Sequence, residues 1–378
     1  MSNPLKRLAE AGQSVWYDYI RRDLYTGPAL KRYIEEDGLR GMTSNPTIFQ
    51  KAIADSSLYD EDVSRYAKTT PDAARIFEAL AVADVRGAAD AFRPVYDATG
   101  GDDGFVSIEV APHLARDTQG TIAEARRLWK SCDRGNVMVK IPATAQGLPA
   151  IRQCLAEGIN INITLLFSVE RYRQVMEAYL SAMEDRVGRK QPAQRIRSVA
   201  SFFVSRVDTN ADKKLDALAQ DSNRPAKDRE AAGRLRGKLA IANARIAYEA
   251  FEEVFGSPRF AALKRQGVKP QRPLWASTST KDPAYPDLYY VEALVAPESV
   301  DTMPPETFEA YRDHGDPKVR IREDLAGAHE TLRGLAALGL DLAGISRELE
   351  EEGVKKFSDS YDQLLKAVSE KEKAMRVA

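Results

Sequence analysis

Gly158-Ile159-Asn160-Ile161-Asn162-Ile163-Thr164-Leu165-Leu166-Phe167 holds the pattern that decides the fold. Ile159, Ile161, Ile163 and Leu165 alternate with Asn160, Asn162 and Thr164. Successive side chains of a strand point to opposite faces, so the aliphatic set lies on one face and the polar set on the other. A sheet covered by helices on both faces has no use for two asparagines in mid-strand. A barrel does: its outer face packs on helices, and its inner face can be polar beside a ligand.

Similar short runs recur along the chain. They are SVWYD (14–18), GMTSNP (41–46), FVSIEV (105–110), VMVKIPA (137–143), NINITLLF (160–167), SVASFFVSRV (198–207), PLWASTS (273–279) and YYVEALVAP (289–297). Helix-like segments such as TIAEARRLWKSC (121–132) and SVERYRQVMEAYLSAMEDRVG (168–188) separate them. Eight strands alternating with helices predict parallel βαβ units, and eight is the number that closes a (β/α)8 TIM barrel. The charged, Ala-rich stretch 208–262 breaks the rhythm and reads as a helical insertion, two helices joined near Ser222–Pro225. Residues 317–378 read as a helical C-terminal extension, broken at Gly339 and Gly353 and able to cover one end of the barrel or the active site. No Gly-, Ser- or Pro-rich linker divides residues 1–378, which predicts a single barrel domain.

Composition narrows the function. The chain has 378 residues, 43% of them apolar, enough to fill a large core. Its 55 Lys plus Arg balance 56 Asp plus Glu, leaving no global basic field for nucleic acid or an anionic membrane. Cys132 and Cys154 cannot build a disulfide framework and suit a reducing cytoplasm. The N-terminal stretch lacks the apolar core of a signal peptide, and no apolar run reaches the ~18 residues of a membrane span. His113, His314 and His329 lack metal-ligand spacing, and nucleotide-binding glycine motifs are absent, so neither a metal nor a cofactor is expected. The oligomeric state stays open between monomer and homodimer.

Active sites of such barrels sit at the C-terminal ends of the strands. The polar residues there are Asp18; Thr43, Ser44 and Asn45; Glu109; Lys140; Asn162 and Thr164; Ser201 and Arg206; and Ser277, Ser279 and Lys281. Lys140 follows the apolar Val137-Met138-Val139. Apolar walls favour a neutral amine, the form that attacks a carbonyl to make a Schiff base. The structural alternative pairs Lys140 with Glu109 on the next strand. Asp18 and Glu109 are carboxyls that burial could turn into acid–base groups. Asn162 and Thr164 could position a water or a hydroxyl, or merely fill the lumen.

The segments SVWYD, GMTSNPTIFQKAI, VMVKIPAT-x-QG, GININITLLFS, SFFVSRVD and WASTSTK, in this order, resemble the transaldolase family in its longer bacterial form. The resemblance spans at least Ser14 to Pro305. It implies transfer of a dihydroxyacetone unit from sedoheptulose 7-phosphate to glyceraldehyde 3-phosphate, in the pentose phosphate pathway and through a lysine Schiff base. By motif position it implies Lys140 as the Schiff-base lysine and Asp18 as the acid–base group for C–C cleavage. It implies Glu109 and Thr164 as holders of the catalytic water, Asn45 and Asn162 as ligands of the dihydroxyacetone hydroxyls, Ser201 as a wall of the same pocket, and Arg206 as a phosphate ligand. The strand 7 loop departs from the shorter enzymes, which place an arginine there; Ser277, Ser279 and Lys281 must take its part. Related aldolases, which release free dihydroxyacetone from fructose 6-phosphate, carry a tyrosine where this chain has Phe203.

Overall fold

In a computed structural model, which describes residues 3–54 and 56–377, eight parallel strands close into a barrel in sequence order. They are β1 (Gln13–Asp18), β2 (Gly41–Thr43), β3 (Phe105–Glu109), β4 (Val137–Pro142), β5 (Ile161–Leu166), β6 (Ser198–Phe203), β7 (Arg272–Ala276) and β8 (Ser299–Met303). β8 pairs with β1, from Gln13 opposite Ser299 to Tyr17 opposite Met303, and removes the last free edge. The outward aliphatic residues of β4 and β5, among them Val137, Val139, Ile161 and Ile163, are fully buried beneath the helical layer. Charges close the N-terminal end: Arg272 and Ser14 meet Asp103 at 2.9 and 2.6 Å, while Arg197 and Lys269 meet Asp102 at 2.7 and 2.9 Å. The opposite end remains open for chemistry.

Seven of the eight predicted strands form; the eighth lies elsewhere. Residues Tyr289–Ala293 of the predicted run are a short helix, and the strand follows at Ser299–Met303. Tyr290, Val291, Leu294 and Val295 are buried, and a continuous apolar run meets the needs of a buried helix as well as those of a buried strand. Between β6 and β7 the predicted break near 222–225 is present, since one helix ends at Gln220 and the next starts at Ala226. The remainder is more divided than expected, with helices Ala226–Leu235, Leu239–Phe255 and Pro258–Lys264.

Gly339 separates two tail helices, but Gly353 does not break anything. It lies inside the helix Leu342–Val377. A Cβ there would come within 2.9 Å of Leu165 Cδ2, so the close approach of helix to strand explains the glycine. Leu165 in turn departs from the alternation of β5. Its φ is +55° and the register with β6 shifts between Ile163 and Leu166, which frees its side chain to meet the tail. The C-terminal helix thereby lies across the open end of the barrel, packed along the helix Pro46–Ala54 and burying Leu349, Phe357 and Leu364.

Candidate active site

β4 places Lys140 where three neighbours converge. Its Nζ lies 3.3 Å from Glu109 Oε2, donates to the carbonyl of Ser44 at 3.1 Å, and sits 5.9 Å from the centre of the Phe357 ring. The residue is 4% exposed, so a small ligand reaches the amine only through the pocket above it. Register sets these contacts, because Glu109, Lys140 and Asn162 stand side by side on β3, β4 and β5. The ion pair offered as the structural alternative is therefore present, and it holds the amine at the floor of an accessible pocket.

Two buried carboxyls flank that amine. Burial pushes the Asp18 carboxyl above the usual range, and Lys140, the Thr43 hydroxyl and Arg206 pull it back. Burial likewise raises Glu109, again opposed by Lys140. Each can hold a proton at a pH where an exposed carboxyl is ionised. Thr43 Oγ1 donates to Asp18 Oδ1 at 2.7 Å and lies 2.7 Å from Thr302 Oγ1. With Asp18 ionised, Thr43 gives its one proton to the carboxylate, so Thr302 donates to Thr43 and a two-step relay orients Asp18.

Deeper in the barrel, Asn162 Nδ2 donates to Ser107 Oγ at 3.0 Å and its Oδ1 accepts from Ser201 Oγ at 2.6 Å. This chain crosses the lumen from β3 to β6 and locks the amide beside Lys140. Thr164 is fully buried, two residues beyond Asn162 on β5, and its hydroxyl has no protein partner among the described residues. A buried hydroxyl in that state is ready to hold a water or a substrate hydroxyl. Asn160 faces the other end, tying Gly135, Val137 and Arg197 by backbone contacts.

Above Lys140 opens a pocket of about 620 Å³. Asp18, Asn45, Ser201, Phe203, Arg206, Ser277, Ser279 and Lys281 all line it, whereas Glu109, Asn162 and Thr164 sit below its walls. Asn45 also caps the helix Pro46–Ala54, its Oδ1 accepting from Ile48 N at 3.1 Å. Arg206 stands in the first turn of the helix Ser205–Gln220 and not on β6. Its guanidinium lies 4.9 Å from the Phe203 ring centre and 5.9 Å from that of Phe357. Among the described residues no carboxylate comes within ion-pair distance of it. Lys281 donates to Ser279 Oγ at 2.6 Å, and Ser277 holds a left-handed φ of +57° with its Oγ 3.0 Å from Ser205 Oγ.

Several lining residues escape a reading of the sequence. Thr302 was hidden by the misplaced eighth strand. Glu352, Lys356 and Phe357 come from the tail, which the sequence allows to cover the active site without showing which residues reach it. Desolvation, then the charges of Arg206, Lys281 and Lys51, lower the pKa of Lys356, so several cations face one another around the mouth. That arrangement favours an anionic ligand. His113 and Cys132 stand apart: His113 pairs with Asp362 at 2.8 Å, and burial pushes the Cys132 thiol up to about 12.

The profile of the Transaldolase/Fructose-6-phosphate aldolase family matches residues 15–368. The chain belongs to the transaldolase family. The transaldolase of Frankia alni is 47% identical over 98% of this chain and 98% of its own length. Those of Acidothermus cellulolyticus and Thermobifida fusca are 49% and 48% identical, each over 98% of this chain and over 97% and 98% of their own. The chain is thus a transferase, a transaldolase built on a (β/α)8 barrel with a helical C-terminal extension. Among the described residues no helix is long and apolar enough to cross a membrane.

Proposed function

We propose that Lys140 forms a Schiff base with the C2 carbonyl of a ketose phosphate and carries a dihydroxyacetone unit from sedoheptulose 7-phosphate to glyceraldehyde 3-phosphate. The observation that carries this reading is the buried amine of Lys140 at the floor of a pocket, flanked by two carboxyls whose pKa values burial raises.

The amine adds to the carbonyl, and the carbinolamine loses water by proton transfers through Glu109 and a water held with Thr164. The iminium then accepts the electrons of the C3–C4 bond as that bond breaks, while Asp18 takes the proton of the C4 hydroxyl. Erythrose 4-phosphate leaves and an enamine stays on Lys140. The acceptor aldehyde binds in the same place, Asp18 returns its proton to the new hydroxyl, and hydrolysis frees fructose 6-phosphate. Lys140 supplies the electron sink, so the scheme needs no cofactor. Asn45, Asn162 and Ser201 hold the hydroxyls of the dihydroxyacetone unit. Arg206 binds the phosphate, assisted by Lys281, Ser279, Ser277 and, from the tail, Lys356. Phe203 and Phe357 wall the enamine from water.

We place this reaction in the cytoplasm, as a step of the non-oxidative pentose phosphate pathway; the buried, unbridged Cys132 and Cys154 suit that compartment. The test is product analysis. Fructose 6-phosphate with erythrose 4-phosphate should give sedoheptulose 7-phosphate and glyceraldehyde 3-phosphate, with little free dihydroxyacetone. Dihydroxyacetone released in step with fructose 6-phosphate consumption would favour the aldolase alternative.

A further inference from the structure

The helix with Arg206 in its first turn also carries Asp208, Asp212 and Asp216, four residues apart and therefore on one face. Such a row usually faces solvent, yet Asp208 is 1% and Asp212 6% exposed. Asp208 accepts from Ala240 N at 2.8 Å and from the Tyr290 hydroxyl at 3.0 Å. Asp212 accepts from Gly237 N and from the Tyr285 hydroxyl, both at 2.9 Å. Arg236 donates to the Tyr285 hydroxyl at 2.8 Å and bridges Asp216 to Asp282, at 3.1 and 2.5 Å. Asp282 directly follows Lys281. The turn joining these groups demands glycine, because Gly237 has φ +74° and a Cβ there would lie 2.7 Å from the Tyr285 ring.

These contacts tie two segments that share one ligand. The helix brings Arg206, the segment after β7 brings Ser277, Ser279 and Lys281, and Ser205 N donates to the Ser277 carbonyl at 3.0 Å where they meet. Lys281 is exposed, so nothing but its loop fixes where its charge sits. Keeping two carboxylates buried on one helix is costly: burial first, then the neighbouring Asp212, push the Asp208 carboxyl up to about 7.

We infer that Asp212 and Tyr285, with Asp208 behind them, are positioning residues that set the spacing between Arg206 and the strand 7 loop, so the phosphate subsite is assembled before substrate arrives. This rests on the reading of Arg206 and Lys281 as phosphate ligands. Neither Asp212 nor Tyr285 lines the pocket, and their effect passes through the loop.

Three full-length variants test it: Tyr285→Phe, Asp212→Asn and, in parallel, Arg206→Ala. Each is assayed on fructose 6-phosphate and on unphosphorylated fructose, with thermal unfolding as a check. Tyr285→Phe, which removes the bonds to Asp212 and from Arg236, and Asp212→Asn should each raise KM for fructose 6-phosphate on the order of 10-fold, the net worth of one or two hydrogen bonds. Their kcat, and kcat/KM on fructose, should stay within about twofold of the parent. An unchanged KM in Tyr285→Phe, or equal losses on both ketoses, overturns the positioning role while Arg206→Ala still discriminates. If Arg206→Ala itself affects both ketoses alike, the phosphate reading fails, and the positioning role falls with it.

Discussion

Arg206→Ala should separate phosphate recognition from the chemistry proposed for Lys140. The guanidinium lines the pocket, stacks on Phe203 and has no carboxylate in ion-pair contact among the described residues, so its donors are available to a ligand. A charge-assisted hydrogen bond is worth about 1.5–3 kcal/mol net, and a guanidinium can offer two to a phosphate. Lys281 and Lys356 remain after the substitution and hold part of the attraction, which brings the expected loss to about 3 kcal/mol, on the order of 100-fold in kcat/KM on fructose 6-phosphate. Lost stacking against Phe203 and Phe357 should cost the unphosphorylated ketose only about threefold, within the range of an exposed cation–π contact. The assay is kcat/KM for parent and variant on both ketoses with one acceptor. A ratio of losses near unity would refute the reasoning, since it would mean that Arg206 never meets the phosphate.

Other predictions follow from the same geometry. Lys281→Ala and Lys356→Ala should act in the same direction as Arg206→Ala but more weakly, each removing one point charge, as KM for fructose 6-phosphate will show. Phe203→Tyr brings a hydroxyl into the pocket beside the enamine and should raise free dihydroxyacetone per turnover at the expense of transfer; an unchanged product ratio sinks that account. Asp301 is fully buried on β8, accepts from Thr278 Oγ1 at 2.9 Å, and burial pushes its carboxyl up to about 8. Between about pH 4 and that value the folded chain keeps a proton that the unfolded chain has lost, so stability falls as pH rises, by up to roughly 1.4 kcal/mol per pH unit. Asp301→Asn should flatten this slope in melting temperature against pH; parallel slopes in variant and parent would show that Asp301 does not titrate in this window.

The barrel was legible where local pattern and tertiary environment agree. β5 must face helices on one side and a polar lumen on the other, and its alternation of isoleucine with asparagine says so. Lys140 stood out because one cation after three apolar residues needs a reason. The eighth strand was illegible for the opposite cause: the apolar run at 289–297 serves in part as a buried helix, while Ser299–Met303 carries Asp301 and Thr302, polar residues whose partners lie in the loop after β7 and on β2. That the tail could cover the active site was legible from its helical pattern, but not which of its residues reach the pocket. Gly353 suggests a break to any local rule, and its value lies in the approach of Leu165. Phe357 sits among charged neighbours, and only long-range packing turns its ring toward Lys140 and Arg206. The acid row at Asp208 and Asp212 reads as a wet helix face until the phenols of Tyr285 and Tyr290 are seen against it.

The central claim is that Lys140 bonds covalently to substrate, and borohydride reduction in the presence of fructose 6-phosphate, followed by peptide mass analysis, tests it most directly. One reduced dihydroxyacetone adduct should appear on the peptide containing Lys140 as activity disappears. Lys140→Arg, which keeps the charge but has no nucleophilic amine, should be inactive and unlabelled. An adduct on another lysine, or continued turnover with no adduct at all, would contradict the account.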